Sequence, residues 1–279
     1  MSSGSAPQIE RQHKHWPGRV LVGFDGSPAG DSAVRWAVRE VAARGSSLRV
    51  GSSATNNCLH RNVDELNERR LSRLLHELHD EHPSLVADLT TEPGDPRQVL
   101  VAEAKHFDLL VLAASADDSA EAVLLGSLAR TAVRRSPCPV VVVRGNSTRP
   151  VRRIVIGVDG SSAAAAAIDW ACEEANLHRA DLLVIHAREG DISRAEAGRV
   201  LELAVDECRH RTAGAVRGRL CDGDPASAVV EASHDADIVT IGSRGRSGFK
   251  TALFGSVALS VAGGAHCPVA VTHPTPRLD

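Results

Sequence analysis

The chain repeats itself, and that repeat limits its fold more than any other feature. Arg19-Val20-Leu21-Val22-Gly23-Phe24-Asp25-Gly26-Ser27 returns 134 residues later as Arg153-Ile154-Val155-Ile156-Gly157-Val158-Asp159-Gly160-Ser161. Trp36-Ala37 and Trp170-Ala171 keep that offset. Gly94-Asp95-Pro96, Gly126-Ser127 and Cys138-Pro139-Val140 return at an offset of 129, as Gly223-Asp224-Pro225, Gly255-Ser256 and Cys267-Pro268-Val269. The first half therefore holds five extra residues between Asp25 and Gly94, expected in the loop around Ala54–His60. A repeat this long is a domain rather than a solenoid unit, and 279 residues suit two of them.

Within each half, apolar runs alternate with helical patterns. In the second half they predict strands near 152–158, 182–187, 214–221, 237–242 and 267–272, and helices near 162–178, 192–212, 225–234 and 254–263. Ser27-Pro28 reads as an N-cap followed by a first-turn proline, and Ser161-Ser162 as an N-cap without it. Strand–helix alternation implies a parallel sheet covered on both faces, with right-handed crossovers. The expected fold class is α/β: two tandem, doubly wound, five-stranded parallel sheets of flavodoxin-like order. The bounds are a tail over 1–18, a first domain over 19–145, a linker over 146–152 and a second domain over 153–279. The apolar final strands, Val140–Val143 and Val269–Val271, would leave bare sheet edges, so the halves are expected to pack there as an internal pseudo-dimer.

In a doubly wound sheet ligands sit beyond the strand C-termini, where the strand order reverses. With order 3-2-1-4-5, that point brings together Gly157 and Asp159 after the first strand and the stretch from Gly242 after the fourth. That stretch contains Gly242, Ser243, Arg244, Gly245, Arg246, Ser247, Gly248 and Lys250, and closes on Gly255, Ser256 and Val257 at the next helix. Glycines admit close backbone approach and a helix N-terminus presents unpaired N–H groups, so a basic strand–loop–helix of this kind suits a phosphate. It is neither a Walker A loop, since Phe249 precedes Lys250, nor the Rossmann Gly-x-Gly-x-x-Gly. Asp159, in Asp-Gly-Ser, serves equally well as a turn residue on local sequence.

Composition narrows the rest. The net charge is -3 with no long basic block, which argues against nucleic acid as partner. No apolar run reaches transmembrane length, so no membrane partner is expected. Met1–Glu10 lacks the apolar core of a signal peptide. Six scattered cysteines form no Cys-x-x-Cys pair, and Cys138 and Cys267 fall in apolar surroundings that suit core residues; a reducing cytoplasm is the simplest compartment. His13, Lys14 and His15 lie in a polar tail without the acids or thiols of a metal site.

The two Gly-x-Asp-Gly-Ser tips, the two Gly-Asp-Pro turns, the Gly242/Gly245/Gly255-Ser256 spacing and the two Cys-Pro-Val strands, in the same order twice, resemble the universal stress protein family from about Arg19 to Thr272. The resemblance implies adenine-nucleotide binding, a stress-linked regulatory role, an unspecified regulatory protein partner, and association through last strands, within the chain and as a homodimer. It places Gly157 and Asp159 by the nucleoside and His186 and Ala187 by adenine. Gly242–Gly248 and Gly255–Val257 fall on the phosphates of ATP, with Asp159 in position to hold Mg through phosphate oxygens.

The first half departs from this pattern. Gly23, Asp25, Gly126 and Ser127 remain, but Ala113 and Ala116 stand where the second half has Gly242 and Gly245. Residues 113–126 carry three acids (Asp117, Asp118, Glu121) and no base, whereas 242–255 carry three bases and no acid. Like charge opposes a triphosphate there, so the first site is expected to be weak or lost. Three functions fit these residues: a nucleotide-dependent regulator, a slow ATPase with His186 as its titratable group, and a ligand-free scaffold.

Overall fold

The structure, a computed structural model, describes residues 18–54, 61–115, 125–145, 149–190, 192–245 and 255–274. The tail with its His13-Lys14-His15, residues 146–148 of the expected linker, and most of both switch-point loops lie outside the described residues.

The first half runs β1 (Arg19–Gly23), α1 (Pro28–Arg44), β2 (Ser47–Ala54), α2 (Arg61–Glu81), β3 (Val86–Pro93), α3 (Pro96–Glu103), β4 (Leu109–Ala113), α4 (Ser127–Arg135) and β5 (Val140–Val143). The second half repeats it: β6 (Arg153–Gly157), α5 (Ser162–His178), β7 (Asp181–Arg188), α6 (Arg194–Arg211), β8 (Val216–Asp222), α7 (Pro225–Ala232), β9 (Ile238–Gly242), α8 (Ser256–Gly264) and β10 (Val269–Thr272). The five extra residues are not concentrated in the loop before α2. That helix has 21 residues against 18 in α6, and β3 has 8 against 7 in β8, so most of the insertion is helix extension. Extra residues that continue a polar helix face carry no punctuation, which hides them from a reading based on glycine and proline.

Local chemistry explains the element starts. Ser27 and Ser161 cap α1 and α5 by accepting from the Gly30 and Ala164 amides at 3.0 and 3.1 Å. The Gly-Asp-Pro repeats are helix entries too: Asp95 accepts from Arg97 N at 2.9 Å and Asp224 from Ser227 N at 2.7 Å, each followed by proline in the first turn. Both carboxyls are held below their usual range, Asp95 by the Arg97 side chain first and its amide second, Asp224 by the Ser227 hydroxyl first and its amide second.

All ten strands join one sheet in the order β3-β2-β1-β4-β5-β10-β9-β6-β7-β8. Each half thus has the 3-2-1-4-5 order, parallel throughout, and the halves meet in one antiparallel pair, with Val142 opposite Val269, Val141 opposite Ala270 and Val140 opposite Val271. The pleat sends alternate residues to opposite faces. Val141, Val143 and Ala270 join the core under α1, α2, α5 and α6, while Val140, Val142, Val269 and Val271 join the core under α3, α4, α7 and α8. Both cores run through the seam, so each final strand covers the other's edge.

The seam is also clamped from its two ends. Just beyond β5, Arg144 donates to the Gly263 carbonyl at the end of α8, at 2.6 Å. Just beyond β10, His273 lies 3.1 Å from the Val133 carbonyl near the end of α4. A carbonyl only accepts, so His273 Nε2 carries the proton. Burial disfavours the charged ring and lowers its pKa, so this clamp is a neutral imidazole.

Candidate functional site

The reversal of strand order falls between β1 and β4 in the first half and between β6 and β9 in the second. In the second half, β6 ends at Gly157 and the chain turns through Val158-Asp159-Gly160-Ser161 into α5. Asp159 Oδ1 accepts from Ser161 N at 3.0 Å, which makes this a tight aspartate turn. Its other oxygen, Oδ2, points across the crevice: a Cβ added to Gly245 would lie 2.8 Å from it. Ser161 Oγ in turn reaches the Arg244 carbonyl at 3.4 Å. The β6 tip and the loop after β9 therefore touch through both backbone and side chain.

The loop is rooted firmly at its two described ends. Ser243 N donates to the Thr272 carbonyl of β10 at 2.8 Å. Gly255, with φ of 72°, adopts a left-handed conformation that a side chain would strain, and its missing Cβ would lie 2.8 Å from Ser243 O. The two described ends of the loop, at Ser243 and Gly255, thus lie against each other beside the start of α8. Glycine at its N-cap offers no side chain, so among the described residues no side chain caps the first amides of that helix. Ser243 is buried and its Oγ makes no hydrogen bond among the described residues.

The expected site residues fall as follows. Gly157, Asp159, Gly242, Ser243, Arg244, Gly245, Gly255 and Ser256 gather around this crevice, with Arg244, Gly245 and Ser256 exposed. Arg246, Ser247 and Gly248 lie outside the described residues. Val257 is half-buried and packs into the core beneath α8. Gly242 has a different reason from the one its motif suggests. An added Cβ would lie 2.6 to 2.8 Å from Ala163 atoms of α5, so the missing side chain there serves helix–sheet packing. Gly245 is likewise not in the left-handed region; a side chain there would meet the Asp159 carboxylate, which would have to swing aside.

His186 is inside β7 rather than at its end, 6% exposed, and its Nδ1 lies 2.8 Å from the Val158 carbonyl. Nδ1 therefore carries the proton, the ring is fixed against the β6 tip, and Nε2 is left as the acceptor. Ala187 follows, half-buried. Two contributors escaped the sequence reading, Ser161 and Thr272. Ser161 is visible as part of the repeated Asp-Gly-Ser, and Thr272 as the polar residue that ends an apolar strand where the first half has Val143.

The first-half crevice is built alike but finished differently. Ala114 N donates to the Val143 carbonyl at 2.9 Å, the counterpart of the Ser243 bond. Gly126, however, has φ of -59°, and its amide is already given to Ala114 O at 2.7 Å. Asp25 accepts from Ser27 N at 3.0 Å and Ser27 Oγ at 2.6 Å. The crevice is open, with a volume of about 510 Å³, and Gly23, Asp25, Gly126 and Ser127 all line it. Ala116, Asp117, Asp118 and Glu121 lie outside the described residues.

A family profile decides what this duplicated architecture is: the universal stress protein family matches residues 18–144 and again 150–273. The chain belongs to the universal stress protein family. It is 28% identical to a universal stress protein of Mycolicibacterium smegmatis, over 91% of this chain and 97% of that one. It is 29% identical to one of Mycobacterium tuberculosis, over 90% of this chain and 95% of that one. The crystal structure of a universal stress protein from Archaeoglobus fulgidus superposes with a TM-score of 0.73 at 18% identity, covering 93% of this chain and 97% of that one, which shows the shared fold. Among the described residues, no helix of this family member is long and apolar enough to cross a membrane.

Proposed function

We propose that this universal stress protein binds one adenine nucleotide, ATP, in the crevice of its second half, and acts as a nucleotide-dependent regulator of a stress response. One observation carries the reading. The Asp159 tip, the Gly245 backbone and the two ends of the loop at Ser243 and Gly255 converge beside the uncapped start of α8. Neither Gly245 nor Gly255 carries a side chain, and one at Gly255 would be strained, so what faces the crevice there is backbone, and Arg244 adds positive charge. Backbone amides, a helix N-terminus and a cation are what a phosphate chain needs. The buried, unpartnered Ser243 Oγ supports a polar ligand at the loop root. The His186–Ala187 stretch of β7 would lie by adenine, with Nε2 as an acceptor. Mg would sit between Asp159 and phosphate oxygens, where one carboxylate plus phosphates suffices.

The slow-ATPase reading has no observation of its own, because His186 is buried and its ring is committed to the Val158 carbonyl. Nucleotide analysis of the purified, denatured protein tests the proposal. ATP at about one equivalent is expected. ADP with phosphate release on added ATP would replace the sensor by an ATPase, and no nucleotide bound or taken up would favour the scaffold. The cytoplasm is the compartment this function needs.

A further inference from the structure

We infer that Cys172 and Cys208 form a redox site, a dithiol that a hydroperoxide oxidises to a disulfide between α5 and α6. This rests on the helices of the second half and stands whether or not the crevice binds ATP.

Asp169, Cys172 and Asn176 follow one another at helical spacing along one face of α5. Arg211, one turn beyond Cys208 on α6, donates to the Asp169 carboxylate, and Asn176 donates to the Arg211 carbonyl at 2.8 Å. These contacts fall on either side of Cys172 and hold the two helices together where the thiols meet. Cys172 and Cys208 are hydrogen-bond partners there, 2% and 0% exposed and in no disulfide. The first half has no such pair. Cys172 corresponds to Val38 at the offset of 134, and Cys208, three residues before the end of α6, to Leu78, three before the end of α2. Val38 and Leu78 are buried in the same core as the two cysteines. Aliphatic side chains thus meet the packing demand at both places, and packing alone does not account for two sulfurs in contact.

The pair is also polarised. The hydrogen bond with Cys208 lowers the Cys172 thiol below its usual range, burial opposes this, and the Arg211 charge adds to the lowering. Cys208 is raised, by that same bond first and by burial second. Cys172 is therefore the nucleophile and Cys208 the thiol that resolves it. The Cys172 thiolate attacks one peroxide oxygen. The O–O bond breaks, the other oxygen leaves as hydroxide and takes a proton to become water, and Cys172 is left as a sulfenic acid. The Cys208 sulfur then attacks the Cys172 sulfur. The S–S bond forms, the S–O bond breaks, and hydroxide leaves with the Cys208 proton as a second water. The dithiol loses two electrons and two protons, and the peroxide is reduced to water. The sulfurs close from hydrogen-bond distance to about 2.05 Å, and a thiol reductant reverses the bond. The product closes a loop from Cys172 to Cys208 that contains all of β7. Peroxide reaches the buried sulfurs through local opening of α6, so the reaction is slower than at a surface thiol.

The test treats the full, folded chain with excess hydrogen peroxide, alkylates the remaining thiols and digests the protein without reductant. A peptide pair joined through Cys172 and Cys208 is expected, and its loss on thiol reduction. Cys208→Ala removes the resolving thiol, so Cys172 should be trapped as a sulfenic acid by dimedone and should go on to the sulfinic acid without it. Cys172→Ala removes the nucleophile, so Cys208 should stay reduced. Circular dichroism checks the fold of both variants, and the link in the parent is read without either. Cys172 and Cys208 recovered unlinked from the oxidised parent, as free thiols or as sulfinic acids, would overturn the inference. A link that forms only in urea would do so as well. Sulfenic acid on Cys208 of Cys172→Ala at the level found on Cys172 of Cys208→Ala would overturn the assignment of the nucleophile.

Discussion

Glu40 and Glu174 occupy the same position of α1 and α5, 134 residues apart, and face each other fully buried across the seam between the halves. One guanidinium, Arg44, reaches both. Its own repeat counterpart, His178, completes the group at 3.2 Å from Glu40 and 3.4 Å from Glu174. Burial alone would raise the Glu40 carboxyl; the His178 hydrogen bond and the Arg44 charge outweigh it and hold it below the usual carboxylate range.

The seam should therefore depend on Arg44. Arg44→Met leaves two buried carboxylates with a single imidazole, and removing one partner of a buried ionic group costs about 3–5 kcal/mol. Urea unfolding of the full chain measures this. The triple variant with Glu40→Gln and Glu174→Gln should recover most of the loss, since it removes the charges that Arg44 neutralises. A loss below about 1 kcal/mol for Arg44→Met would mean the cluster is solvated and unimportant.

Glu173, next in the chain to Glu174, is shifted the opposite way from Glu40. Burial pushes its carboxyl up to about 7, against the lowering effect of Arg44 and Arg211 and with Asp169 adding to the rise. The folded chain then holds a proton that the unfolded chain gives up at about 4.5. Stability contributed by this residue is complete below about pH 4.5 and is lost as pH rises through about 7. Glu173→Gln should match the parent near pH 4.5 and exceed it at about pH 8 in thermal unfolding. A difference that does not change with pH would show that Glu173 is not the group responsible.

Burial pushes the Cys138 thiol up to about 11 and the Cys267 thiol up to about 12, so neither forms thiolate at neutral pH. Peptide mapping after mild alkylation of the native protein should find both intact, with half-buried Cys221 modified ahead of them. Both should react once urea is added. Rapid labelling of Cys138 in the native state would contradict the tight closure before β5.

Much of this architecture is legible in the residues themselves. The repeat, the strand–helix alternation and the apolar final strands lead to the strand order and to the Val140–Val143 seam, because apolar patterning reports burial directly. The meeting of Asp159 with Gly245 follows from the same topology. Other features were hidden for physical reasons. Glu40 and Glu174 look like ordinary polar helix positions until the antiparallel pairing of β5 and β10 brings α1 against α5. Gly242 reads as a phosphate glycine, yet Ala163 on α5 is what excludes its side chain. The open first-half cavity depends on how Leu100 and Leu112 close on Gly23, and such tertiary contacts leave no periodic trace.

Gly245→Ala tests the central claim most directly. The added methyl would lie 2.8 Å from Asp159 Oδ2 and on the side where the phosphates are proposed, so the carboxylate must swing aside or the loop must shift while the core is untouched. Losing one or two charge-assisted hydrogen bonds, each of about 1.5–3 kcal/mol, predicts ATP affinity at least about tenfold weaker by calorimetric titration, with an unchanged circular dichroism spectrum. A folded Gly245→Ala protein that binds ATP as tightly as the parent would show that this loop does not cradle the phosphates.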